Sequence, residues 1–422
     1  MEPKHINELN DKQLENLEYL LTNTSGPHLD KIRIKYGIAR GRSNSHTHQN
    51  VLDNVFTDNI PLDEFTSWLG SCNLEGNNYL FIYEPTNPKV FINKPLEKLY
   101  TYLKNKIVPL YHLNRDELKT IELVDLRICK EKNQLHITFA APSQLQIKDK
   151  KNSTTILKND IYFAYFTVDY NLQHIVLLMH PTSNLSSIGG ETKKKEWDEL
   201  TWILLRKFKE TIFDFDLSDP EWVVDSLFEI TEEFFHHHNP QIDSKMNEIQ
   251  HEIIPHILNT IERADTSFSQ EEYRLRFERS LENMFENELI TNYGRIIKKL
   301  PFKVFLQESD KGITQFKTNS KGQALNSADA GEFVKLMWNN GDIVSLGITY
   351  TEVDKNNLEK KHSYKVTKTN QYYSFKKINT TGTKREVVNN VLRIFDEYKQ
   401  KVQSSFSEAE DIEQRTYDAE NE

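Results

Sequence analysis

Apolar residues recur at helical spacing through the first 70 positions, then alternate, then return to helical spacing, then alternate again. Asn10 followed by Gln13 is a capping-box pattern, and Leu14, Leu17, Leu20 and Leu21 continue it as one stripe. Pro27 opens a second helix lined by Leu29, Ile32 and Tyr36, which Gly37 can close. Gly41, Ser43, Asn44 and Ser45 make the polar stretch 39–50 a loop. Residues 51–56 read as a third helix, and Pro61 opens a fourth with Leu62, Phe65, Trp68 and Leu69 inward. Modules of this size serve as helix-turn-helix units or as adaptors.

Between 78 and 180 the period changes. Residues 79–83 and 89–92 read as short strands, and 95–111 as a helix through Leu96, Leu99, Tyr102, Leu103 and Ile107. Residues 120–129 and 135–140 predict one hairpin around Glu131-Lys132-Asn133. Residues 161–168 and 172–179 predict another around Asp169-Tyr170-Asn171. The unbroken apolar run 161–168 predicts a central strand. Residues 181–190, rich in Ser, Asn and Gly, read as a linker.

Helical spacing returns at 191–300. Trp197, Leu200, Leu204, Phe208 and Ile212 form one stripe, and Trp222, Val223, Leu227, Ile230 and Phe234 form the next. Ile242, Met246, Ile249, Ile253, Ile257 and Ile261 form a third, which Pro255 should kink or interrupt. Tyr273, Phe277, Leu281 and Met284 continue the pattern, so a bundle or a long antiparallel pair is expected. From 301 on, strands are predicted at 304–306, 313–317, 342–352, 362–367 and 372–377. Ser327 should cap a helix through Phe333, Leu336 and Met337, and 384–402 should form a final helix.

The expected fold class is therefore an α+β multidomain chain. It comprises a helical N-terminal module (1–74), an antiparallel α+β domain (75–187), an acidic helical domain (188–300), a basic C-terminal α+β domain (301–403) and a disordered acidic tail (404–422). No internal repeat is visible.

Charge sharpens this division. Residues 191–290 hold 24 acidic and 11 basic side chains, residues 291–400 hold 11 and 19, and the last 22 hold seven and two. The whole-chain net of −10 thus conceals a basic module between acidic segments. Such sorting suggests a polyanion-binding surface or complementary protein faces. Only Cys72 and Cys129 are present, which excludes a disulfide framework and a thiolate zinc site. No run approaches ~18 apolar residues and no signal peptide opens the sequence, so a cytoplasmic protein without membrane spans is expected. The 39 lysines against 14 arginines, with frequent Asn and Ile, suggest an AT-rich bacterial genome.

The candidate binding residues are Lys355, Lys360, Lys361, Lys365, Lys368, Lys376, Lys377, Lys384 and Arg385, interleaved with Tyr364, Tyr372, Tyr373 and Phe375. Amines can neutralise phosphates while rings stack on unpaired bases, so DNA or RNA is a candidate partner. Lysines on a solvated edge hairpin, where they deter aggregation, are the competing reading. Alternation places 361 and 365 on one face and 368 on the other. The acidic tail could fold back on this patch.

Catalytic patterns are weaker. His236, His237 and His238 follow Glu232 and Glu233 by a helical turn, but Asn239-Pro240 ends that helix, so no metal site is expected. Arg42 and His48 imitate a nuclease spacing on a segment read as loop. Asp342 with Glu352, Asp354 and Lys355 resembles a metal-nuclease arrangement, except that Lys355 falls on the wrong sheet face. Gly189-Gly190 is not followed by a phosphate-loop lysine, no Gly-x-Ser-x-Gly elbow occurs, and no cofactor is expected. The leading expectation is a non-catalytic bacterial scaffold that contacts nucleic acid through its basic end and protein partners through its helices. Such a layout suits a multi-gene system such as phage defence or a mobile element. The alternatives are a divergent metal-dependent nuclease and a purely protein-binding adaptor.

Overall fold

The computed structural model describes residues 3–148, 154–194, 197–266, 270–296, 298–310, 315–320, 342–354 and 356–420. It is a mixture of helices and antiparallel sheet, divided into two compact units. One unit holds Met1–Pro220 with Thr369–Asn390, the other Glu221–Lys368 with Val391–Glu422. No helix among the described residues is long and apolar enough to cross a membrane.

The first unit begins with α1 (Asp11–Thr22), α2 (Gly26–Lys35), α3 (Asn44–Phe56) and α4 (Leu62–Ser71). The capping box at Asn10 and Gln13 is formed in both directions. Of the stretch 39–50, expected as loop, 39–43 is loop and 44–50 begins α3. Ser43 is the cap, its Oγ accepting from the His46 amide at 3.2 Å. After β1 (Tyr79–Tyr83), the segment expected as a strand at 89–92 is the one-turn helix α5 (Lys89–Asn93). Pro88 fixes the helical φ and Asn87 Oδ1 accepts from the Lys89 amide at 3.0 Å, and these local signals outweigh the strand preference of Val90–Ile92. Helix α6 (Leu96–Lys104) follows.

The sheet is completed by β2 (Glu122–Cys129), β3 (Gln134–Lys148), β4 (Thr155–Asp169), β5 (His174–Met179), β6 (Leu185–Ile188) and β7 (Glu191–Thr192). The order runs β7-β6-β3-β4-β5-β1, and β2 pairs with β3 over Gln134–Ala140, below β6. Both expected hairpins are present with their turns. The run 161–168 is central because both sheet faces are covered. Tyr162, Ala164, Phe166 and Val168 join a core with Leu103 of α6 and Leu204 and Phe208 of α7 (Asp198–Thr211). Ile161 and Phe163 join a core with Leu17, Leu20, Val51 and Phe65 of the N-terminal helices.

The expected linker 181–190 contains β6, which completes the edge beside β3. Gly189 then turns at φ 57°, where an added Cβ would lie 2.7 Å from Ile203 Cδ1. Gly189→Ala should therefore lower stability to urea by about 1 kcal/mol, from backbone strain at positive φ, while the Ile203 methyl moves aside. An unchanged midpoint would show that the turn at 189 imposes no such strain.

The second unit opens with α8 (Trp222–Phe235), which lies against β8 (Phe302–Asp310) and β10 (Asp342–Val353). Its sheet is antiparallel, in the order β11 (Glu359–Lys368), β10, β8, β9 (Gln315–Asn319). Helices α9 (Pro240–Glu248) and α10 (Ile254–Ala264) pack against α11 (Glu271–Tyr293), forming the expected antiparallel pair. Ile242, Met246, Ile249, Ile254 and Leu258 meet Phe277, Leu281, Phe285 and Leu289 along its seam. Pro255 acts as expected. It cannot donate to the carbonyl four residues before it, and a π-helical turn at Ile249–Ile253 takes up the mismatch.

Strand β12 (Tyr373–Lys377) returns to the first unit and pairs with β1. Helix α12 runs from Arg385 to Glu420. The tail expected to be disordered continues this helix to Glu420, because no proline or glycine follows Gly382 and Glu, a good helix former, is its commonest residue. The helix expected after Ser327 lies outside the described residues.

Candidate functional site

The candidate lysines do not form one surface of one unit. Lys360, Lys361, Lys365 and Lys368 stand on β11 of the second unit, and Lys355 lies outside the described residues. On β11, His362, Tyr364 and Val366 point inward, so Lys361 and Lys365 share the other face, as alternation predicted. Lys365 Nζ donates to Glu308 Oε2 at 2.7 Å, and Lys317 binds the same carboxylate. Lys360 and Lys361 are exposed.

Tyr372, Tyr373, Lys376, Lys377, Lys384 and Arg385 belong to the first unit, where most of them are not surface residues. Tyr372 is 5 % exposed and packs edge-on against Phe81 and Tyr83. Tyr373, Phe375 and Tyr364 are buried as well, so none of the four rings can stack on a base. Lys377 is 5 % exposed and donates to Thr383 Oγ1 at 2.8 Å; burial pushes its ammonium down to about 8. Lys384 is exposed and Lys376 half-buried. The correction has a simple cause. A strand with both faces covered and one with a free face can carry the same spacing of lysines and rings, and only the second offers them to a ligand.

Arg385 is the clearest displacement from expectation. Its guanidinium lies inside the first unit, where Nη2 donates to His136 Nδ1 on β3 and, at 2.9 Å, to Thr167 Oγ1 on β4. Its amide donates to Glu75 Oε1 at 3.4 Å, which sets a carboxylate at the α12 N-terminus. Lys31 pairs with the same Glu75. Burial, with the adjacent Arg385 charge, pushes the His136 imidazole down to about 2 and keeps it a neutral acceptor. The Nη2 side of the guanidinium is thus held by β3 and β4, while Nε has no partner among the described residues.

The acids of the nuclease pattern do not converge. Asp342 and Glu352 stand near opposite ends of β10, ten residues and so roughly 33 Å apart. Glu352 faces the buried His362 at 3.3 Å, and Asp354 accepts from the amides of Asn356 and Leu358 in the β10–β11 turn. Arg42 precedes α3 while His48 lies within it, its Nε2 3.4 Å from the Thr24 carbonyl, so no single helix aims the pair.

The histidine run joins α8 to α9 and brings His236, His237 and Asp243 together. The expected partner Glu233 instead accepts from Tyr398 on α12. Backbone amides decide the tautomers. His236 Nδ1 accepts from the His238 amide, and His237 Nδ1 from the Asn239 amide, both at 3.0 Å. Each neutral ring therefore keeps its proton on Nε2, which leaves no lone pair for a metal. His237 Nε2 faces Asp243 at 3.5 Å and Glu286 at 3.9 Å. This group holds a helix junction.

Apolar side chains remain outward on the α9–α11 pair. Tyr273 and Met284, expected in its seam, are 43 % and 51 % exposed. They lie eleven residues apart, about three helical turns, on one face of α11. The sequence signalled their apolar character but not which side of the seam they would take.

No family model matches the chain, and no curated protein matches it. Among solved structures, one match is the structure of an RNA-binding light-oxygen-voltage receptor, 7 % identical, covering 78 % of this chain and 99 % of that chain, with a TM-score of 0.10. A score that low carries no argument about fold or function.

Proposed function

We propose that this chain is a macromolecule-binding scaffold and that its protein-binding part is the α9–α11 pair. The observation that carries the reading is the outward face of Tyr273 and Met284 on a strongly acidic hairpin. Residues 240–293 hold 11 acidic and five basic side chains. The partner is accordingly a protein with a basic surface around an apolar centre, since charge steers the encounter and the aromatic and methionine anchors supply contact area. The test places a photo-crosslinking residue at 273 or 284 of the full-length protein in an extract of its source cells. A discrete basic protein should be captured, and the capture should be lost in Tyr273→Ser/Met284→Ser without a change in thermal midpoint. Capture that survives this double substitution would sink the reading.

A second reading, nucleic-acid contact, rests on the exposure of Lys360 and Lys361 near the β10–β11 turn. Binding of labelled single- and double-stranded DNA and RNA is measured from about 50 to about 300 mM salt. If these lysines neutralise phosphates, Lys360→Glu/Lys361→Glu should reduce the salt slope by about two, one for each phosphate no longer neutralised. No binding at the lowest salt removes this reading. The acids of the nuclease alternative are not assembled among the described residues, because Asp342 stands far from Glu352 along β10.

A further inference from the structure

The first unit contains a cavity of about 130 Å³ behind α1 and α4, against the β3–β4 face. Its polar lining comes from residues far apart in the chain, among them Asn73, Ser143, Asp160 and His180. Leu20, Leu69 and Leu145 supply apolar wall, and no lysine or arginine lines it. Arg115 and Lys158 lie over the Tyr19 ring, 4.7 and 6.0 Å from its centroid, and Lys193 Nζ is bound to the Thr182 carbonyl at 3.3 Å.

Hydrogen bonding fixes what this wall offers. Asn78 Nδ2 donates to the carbonyls of Asn73 and Leu74, both at 2.9 Å, which orients its amide. Asn78 Oδ1 must then accept from His180 Nδ1, 3.2 Å away. Burial holds the imidazole neutral, so Nε2 is left with a lone pair. Asp160 Oδ1 already accepts from the Tyr19 hydroxyl at 2.6 Å and from the Ile161 amide at 2.8 Å. Its second oxygen has no partner among the described residues. Ser143 is only 5 % exposed, and its hydroxyl likewise has no partner among them. Ser143 and Asp160 stand opposite each other on β3 and β4, and with His180 they line the cavity with acceptor atoms that no described residue satisfies.

We propose that this cavity binds the primary ammonium group of a small aliphatic amine. An ammonium presents three donors, and Asp160 Oδ2, His180 Nε2 and Ser143 Oγ are three acceptors. One formal negative charge with no lining cation selects a cation, and the leucines receive its short alkyl part. A cavity of this order accepts a molecule of roughly benzene size, which limits the ligand to about six heavy atoms. The same chemistry could be a free amine or the end of a partner's lysine side chain.

The test is calorimetric titration of the full-length protein with n-butylammonium, 1-butanol, butyrate and tetramethylammonium. Saturable binding is expected for n-butylammonium alone, because butanol lacks the charge, butyrate reverses it and tetramethylammonium has no donor. Asp160→Asn should weaken it at least about tenfold and Ser143→Ala about fivefold, the cost of a charged and of a neutral hydrogen bond. Tyr19→Phe, which removes the other bond to Asp160 but no proposed acceptor, should leave affinity within about twofold. If Asp160→Asn fails to fold, Ser143→Ala and the ligand series still decide. Equal binding of butanol, or no saturable binding of n-butylammonium and of Nα-acetyl-lysine methylamide, would overturn the proposal. Binding of the lysine derivative but not of free butylammonium would assign the site to a partner's lysine.

Discussion

Replacing Arg385 with alanine should destabilise the first unit by about 1.5 to 3 kcal/mol, the cost of losing a half-buried charged hydrogen-bond set. Urea unfolding and hydrogen exchange of the β3 and β4 amides are the readouts. The substitution deletes a guanidinium that binds His136 and Thr167 inside the unit. It takes the charged donor from the half-buried His136 acceptor and from the buried Thr167 hydroxyl, which keep only their mutual 3.4 Å contact. Arg385→Lys should recover only part of the loss, since one ammonium cannot reproduce the planar fork that reaches both groups. A surface arginine held ready for phosphate would behave otherwise: its removal changes stability by no more than about 0.5 kcal/mol. A small effect would return Arg385 to the candidate binding residues.

Stability should fall on acidification through His136. Its folded imidazole titrates near 2, held down by burial and by the Arg385 charge, while an unfolded histidine titrates at 6.5. Between those values the unfolded chain binds the extra proton. Stability therefore rises with pH across this window and is lost as pH drops below about 6.5. At about pH 4.5 this one residue should remove about 2.5 kcal/mol relative to about pH 7.5, at 1.36 kcal/mol per pH step. His136→Asn keeps an acceptor near the Nδ1 position but cannot titrate. The difference between the two proteins' acid limbs isolates the imidazole from the many carboxylates that also titrate there. Parallel acid limbs would mean that His136 is protonated in the folded state and that the Arg385 hydrogen bond is not formed.

Much of the local structure was legible. The capping box at Asn10, the hairpin turns at Asn133 and Asn171, the central strand through Tyr162–Val168 and the interruption of the α-helix before Pro255 all follow from short-range chemistry. Local reasoning erred where a local signal had two meanings. Ser43 and Asn44 are loop formers and helix caps alike, and Val90-Phe91-Ile92 favours a strand until Asn87 and Pro88 begin a helical turn. The candidate site fared worse for a different reason. The spacing of Lys377, Tyr372 and Tyr373 is the same whether their strand is covered on one face or on two.

By itself the sequence determined the alternation of helical and antiparallel segments, the charge sorting and the phases of most strands and helices, because backbone hydrogen bonding and side-chain periodicity act within a few residues. Only the tertiary structure decided that Arg385 is held, half-buried, against His136, that Tyr273 and Met284 face outward, and that Ser143, Asp160 and His180 line one cavity. Those outcomes depend on which segments cover which faces. Residues more than 200 positions apart meet only through that packing, and no local pattern encodes the meeting.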